Sequence, residues 1–187
     1  MAIKTFTAGS VLTASDTNTY LANAGLVYVT SVSVGSGVSS VNVPNAFSAT
    51  YDSYKIIWTG GTLSSIALIG IYMGTSAAAS GYYGSKVYCS VTGSVSGSGD
   101  NNTGLWNHAN AGGSSAADTV FELHNPYAST ETLITSNYWE WNGGSSLFGT
   151  FTGILNNTTS YTSVTLDPQG AVTMTGGTIT VYGYRKG

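Results

Sequence analysis

Residues 26–44 read LVYVTSVSVGSGVSSVNVP, and this stretch decides the fold. Val27, Val29 and Ser31 fall on one side of an extended chain, and Tyr28, Thr30 and Val32 on the other. A period of two is the mark of a strand with one side turned toward a core. A Gly/Ser turn follows, and Val41 and Val43 resume the alternation before Pro44 ends it. From Leu26 onward the chain therefore reads as β structure.

The rest of the sequence extends that pattern. YDSYKIIWT (51–59) reads as a strand, and SSIALIGIYMG (64–74) as a strand buried on both sides. SGYYGSKVYCSVTGS (80–94) is a further strand region. Residues 93–117 are dominated by Gly, Ser, Asn and Ala. They are expected to form a long loop, with one apolar island at Leu105 and Trp106. TVFELHNP, TLITSNYWEWN, SLFGTFTGILN, SVTLDP and GTITVYGYR follow as strands between residues 119 and 185. That makes eight to nine strands separated by turn signals, with Pro44, Pro126 and Pro168 at strand ends. The pattern predicts an all-β, jelly-roll-like sandwich over residues 27–187.

Before that domain lies LTASDTNTYLANAGL, residues 12–26, the one stretch with helical spacing. Thr13, after Leu12, is a good N-cap, and Asp16 follows three residues later, where a carboxylate complements the helix dipole. Thr17, Tyr20, Leu21 and Ala24 share one face, and Gly25 suits the residue after the helix. A helix of about three turns is marginal alone in water, so it needs something to dock on. Residues 1–26 are accordingly expected to be an assembly arm containing a short helix.

Composition narrows the function. Of the 187 residues 42% are hydrophobic, enough for a core, and 13 Tyr, 4 Trp and 5 Phe argue against disorder. Only 7% are charged, against roughly 25% in ordinary domains. The net charge is −3 with five Lys and Arg, so no basic stripe exists to neutralise a phosphate backbone, and nucleic acid is not expected as a partner. MAIKTFTAGS lacks an apolar signal-peptide region, and IALIGIYM is too short to span a bilayer, so no membrane insertion is expected. The one cysteine, Cys89, cannot staple the fold and reads as a small packed residue.

Several residues are candidates for chemistry or contact. Trp106, Asn107 and His108 combine a ring with polar groups in a stretch read as loop, where binding residues concentrate. They would either touch a ligand or anchor the loop to the sandwich. In YWEWN, Tyr138, Glu140 and Asn142 face one way and Trp139 and Trp141 the other. Exposed indoles there could stack on sugars, but two Trp on one strand face more often bury area in a core. His108 and His124 lack metal-ligand spacing, and SGSGDNN (96–102) lacks that of a calcium loop, so no metal and no cofactor is expected. Glu122 and Glu140 are the one carboxylate pair worth checking for glycoside hydrolysis. No phosphate loop and no nucleophile elbow occurs, and the chain does not read as an enzyme.

Three pieces taken in order, KTFTAGSVLTASDTNTYLANAG, FSATYDSYKIIWTGGTLSSIALIGIYMGTSAAASGYY and FELHNPYAS…TGGTITVYGYRKG, resemble virion structural proteins of tailed bacteriophages. That family includes tail fibres, baseplate proteins and capsid-decorating fibres. The resemblance covers about residues 4–90 and 120–187. It implies a homotrimeric sandwich head, an N-terminal segment (Leu12, Thr13, Asp16, Tyr20, Leu21) that attaches to other virion proteins or ties protomers together, and release with the virion by lysis. Two roles share that architecture. A tail-fibre or receptor-binding knob would contact host surface polysaccharide through Trp106, Asn107, His108, Tyr138, Trp139 and Trp141. A capsid-decoration, cement or head-fibre protein would bind no receptor and keep those aromatics in its core.

Overall fold

The structure is a computed structural model that describes residues 7–11, 13–16, 25–140 and 146–186. Its described part is almost wholly antiparallel β structure, arranged as a sandwich of an eight-stranded and a four-stranded sheet. The large sheet has the spatial order β1 (Leu26–Ser33), β14 (Thr178–Tyr184), β3 (Ser53–Thr59), β9 (Thr119–His124), β10 (Thr132–Glu140), β11 (Leu147–Leu155), β6 (Tyr82–Ser90), β7 (Val95–Thr103). The small sheet is β2 (Val41–Val43), β12 (Val164–Pro168), β5 (Ala67–Met73), β8 (Trp106–Gly112). A two-residue ribbon, β4 (Thr62–Leu63) with β13 (Met174–Thr175), accompanies them. The chain passes repeatedly between the two sheets, as the sandwich reading required.

Outside β1 the alternation read from the sequence is what builds the core; in β1 a bulge between Tyr28 and Thr30 turns Val32 to the core side with Val29 and leaves Ser31 outward beside Tyr28. On β3, Tyr54, Ile56 and Trp58 are buried while Ser53, Lys55 and Ile57 face outward. Phe121 and Leu123 do the same on β9, Ile134 on β10, and Ile179 and Val181 on β14. Ile69, Ile71, Val164 and Leu166 meet them from the small sheet. β5 is buried along Ile69–Met73, in keeping with its unbroken apolar run.

Glycines act here as sockets for rings. A methyl group on Gly153 would lie 2.7 Å from the Trp106 indole nitrogen and 2.7 Å from the Tyr83 carbonyl, so only glycine lets that ring seat against β11. Gly61 gives Trp58 its space in the same way, and Gly84 admits Phe151.

One expectation changes, and another falls mostly outside the described residues. Residues 93–117 are not one long loop but contain β7 and β8. Their small polar residues have weak strand preference, yet β6 and β5 offer backbone partners, and pairing decides. At the N-terminus the structure shows one helical turn, Ala14–Asp16, and the remainder of the expected helix lies outside the described residues.

Candidate functional site

Trp106 is a core residue, not a loop contact. It begins β8, is 0% exposed, and meets Tyr82 edge-to-face at 4.8 Å. Its indole nitrogen donates to the Tyr83 carbonyl at 3.2 Å. Asn107 and His108 are also turned to internal work. Asp100, 5% exposed, accepts from Asn107 Nδ2 at 3.2 Å and from the His108 backbone N–H at 3.3 Å, and it lies 2.8 Å from His108 Nδ1. This cluster ties β7 to β8 across the open end of the sandwich. It leaves no aromatic platform for a ligand.

The YWEWN segment divides the opposite way from the core reading. Tyr138 is the buried member, 2% exposed, with its hydroxyl donating to Glu140 Oε2 at 2.8 Å. Burial and that hydrogen bond raise its pKa well above the ordinary phenol value. Lys86, also buried, holds its ammonium 3.8 Å from the Tyr138 ring centre and 4.8 Å from that of Tyr88. Burial lowers the Lys86 pKa, and Glu140 and Asp100 act against that shift. Trp139 lies on the outer face, half-buried, and Trp141 lies outside the described residues.

The remaining candidates fall apart as sites. Glu122 faces outward on β9, whereas Glu140 shares the inward side of Tyr138, so the two carboxylates sit on opposite faces of one sheet. His124 Nδ1 lies 2.9 Å from the Ser53 hydroxyl. Among the described residues no group of three His, Cys, Asp or Glu side chains could hold a metal ion. Of the arm residues, Leu12, Tyr20 and Leu21 lie outside the described residues, Thr13 is exposed, and Asp16 ends the helical turn. Among the described residues no helix is long and apolar enough to cross a membrane.

The structure instead presents a site that the sequence did not announce. On the outer face of the large sheet the register sets Tyr182, Lys55, Glu122, Thr135, Thr152 and Ser85 side by side on six successive strands. Lys55 Nζ lies 3.9 Å from Glu122 Oε1. The Tyr184 hydroxyl donates to the same carboxylate, which pushes its pKa up to about 12.

At the middle of this row the sheet forks. The β9–β10 ladder runs from His124–Leu133 to Phe121–Ser136 and stops. Each strand continues with its other neighbour, β9 with β3 as far as Thr119 and β10 with β11 as far as Glu140. Different anchors draw them apart. Asp118 accepts from the Gly60 backbone N–H at 3.0 Å, while the Ser136 hydroxyl donates to the Ala109 carbonyl on the other sheet. Trp139 spans the mouth of the fork, its indole nitrogen donating to the Asp118 carbonyl at 2.7 Å. Between lies a cleft of about 430 Å³ whose polar walls are Lys55, Glu122, Thr135, Asn137, Thr150 and Thr152.

Among the described residues both edges of the large sheet are open, and nothing pairs with the outer sides of β1 or β7. Neither strand contains Lys, Arg or Pro, the residues that ordinarily blunt an edge, and each edge ladder carries one bulge. Exposed apolar side chains accompany both, Leu26 and Tyr28 on β1, and Val95 on β7 with Val87 and Phe148 beside it.

The chain matches no protein family, no curated protein and no solved structure.

Proposed function

We propose that the chain is a non-enzymatic structural protein of a tailed-phage virion, and that its work is assembly. The observation that carries this reading is the pair of long edges, free of Lys, Arg and Pro, that the large sheet leaves unpaired among the described residues. Such edges are an aggregation hazard in a monomer and an asset in an oligomer. All eight strands alternate in direction, so β1 and β7 run oppositely at the two ends. β7 of one copy can therefore pair antiparallel with β1 of the next. A head-to-tail contact of this kind closes into a ring when its rotation allows, and three copies would form the homotrimer that the resemblance implies.

Within the virion, capsid decoration is the role favoured by the buried Trp106 and by the internal duties of Asn107 and His108. The arm of residues 1–26 would then bind other virion proteins. The receptor-binding knob is the second reading, and the cleft on the outer face is the observation in its favour. Immunogold labelling of particles from a lysate that encodes the chain tests both. Label on the capsid is expected. Label at the tail tip would move the receptor-binding role ahead, and particles without label would overturn virion membership.

A further inference from the structure

We infer that the fork between β9 and β10 is a binding site for a neutral saccharide. The inference rests on the geometry of the cleft and stands whether or not the chain belongs to a virion. At about 430 Å³ the cleft falls within the usual ~300–1,000 Å³ of small-molecule sites. The chemistry of its walls selects the ligand.

Thr135, Asn137, Thr150 and Thr152 reach the cleft, and among the described residues none has a side-chain hydrogen-bond partner. Three hydroxyls and an amide supply donors and acceptors together, which suits a ligand that is itself both donor and acceptor at each group. The end of the β9–β10 ladder leaves backbone groups of the splayed strands turned toward the same gap. Sugar hydroxyls have this dual character.

Charge excludes the other small ligands. Lys55 and Glu122 stand 3.9 Å apart and neutralise one another, so neither a phosphate nor an ammonium group meets a net opposite charge. Glu122 can still accept from a vicinal diol and Lys55 can still donate. An apolar ligand would desolvate six polar side chains without compensation. Val120 lies in the cleft, and Tyr182 stands beside Lys55 in the same row with Tyr28 next to it, ring centres 6.4 Å apart. These rings offer a flank for the apolar face of a sugar in a longer chain. An extended peptide fits less well, because the Trp139–Asp118 bond crosses the mouth where a strand would run.

The test is titration of the isotope-labelled full chain, followed by NMR, with neutral hexose and N-acetylhexosamine oligosaccharides. Uronic-acid oligosaccharides and an uncharged β-forming peptide serve as competitors. At least one neutral saccharide is expected to bind saturably, with shifts concentrated at residues 120–122, 135–137 and 150–152. Asn137→Ala and Thr150→Val, both on the exposed face, are expected to weaken it by about tenfold each with the melting temperature unchanged. Glu122→Gln, which keeps the shape and removes the charge, is expected to weaken it further. No saturable binding by any neutral saccharide at millimolar concentration would overturn the proposal. So would shifts centred elsewhere, affinity unchanged in the variants, or preference for the acidic sugar or the peptide.

Discussion

On β10 the neighbours Tyr138 and Trp139 belong to different worlds. Tyr138 enters the sandwich, where Glu140, Lys86 and Tyr88 surround it, while Trp139 lies on the outer face and reaches across a gap to one carbonyl. A similar contrast separates several polar groups on the two sides of the large sheet, although among the described residues buried Thr132 and Asn110 lack a partner inside and Lys55 and Glu122 have one outside. Inside, Asp100, His108, Asn107, Ser136 and the Trp106 indole have partners within the protein. Outside, Thr135, Asn137, Thr150 and Thr152 have none among the described residues. Groups bonded within a core hold the fold, and groups left uncommitted on a shaped surface are available to something else. Of the aromatics that look functional in the sequence, Trp106 and Tyr138 are on the first face, and the plain threonines are on the second.

The contrast can be broken first at Trp106. Trp106→Ala removes a ring with 0% exposure and a hydrogen bond, and should cost about 3–5 kcal/mol in chemical denaturation. A loss under about 1 kcal/mol would return Trp106 to the surface. Next comes its socket. Gly153→Ala should cost about 1–3 kcal/mol by pushing on the indole and on the Tyr83 carbonyl, and the indole's share of that cost should disappear in a Trp106→Ala background. Additive effects would mean that the two residues do not touch.

The third test uses pH. Tyr82 and Tyr138 have pKa values raised above the ordinary phenol value, both chiefly by burial. Below about pH 10 the phenols are protonated in folded and unfolded chains alike, and their contribution to stability is complete. Above it the unfolded chain loses protons first, so stability falls as pH rises toward the folded values. Lys86 acts with the opposite sign, since its lowered pKa makes stability rise with pH up to about 10.4. Part of the phenolate absorbance of the native protein should therefore appear only at higher pH than in the protein in denaturant. Superimposed curves would contradict the burial of both rings. The smallest effect belongs to the outer face, where Trp139→Phe removes one hydrogen bond and should cost about 1 kcal/mol in the same denaturation experiment. A cost matching that of Trp106→Ala would place Trp139 in the core.

The strands that carry the core were legible because their side chains obey a period of two, as in SYKIIWT and TVFELH. Parity over Tyr138–Glu140 was legible as well, but not which side faced inward, because that depends on Lys86 and Tyr88 on another strand. β7 and β8 were not legible. Their Gly, Ser and Asn residues carry no strand signal, and neighbours supply it. Nor was the seat of Trp106, which requires a glycine at position 153. The cleft was the least visible feature. Its threonines read as an ordinary solvated face, and it exists because one ladder ends at Phe121–Ser136 while its neighbours continue.

If the unpaired sheet edges drive assembly, the native mass in solution must show it. Light scattering on the purified full chain should give three times the 19.2 kDa chain mass, and Lys placed in β1 by Tyr28→Lys should return it to one. A wild-type chain that stays at 19.2 kDa at high concentration would contradict the account.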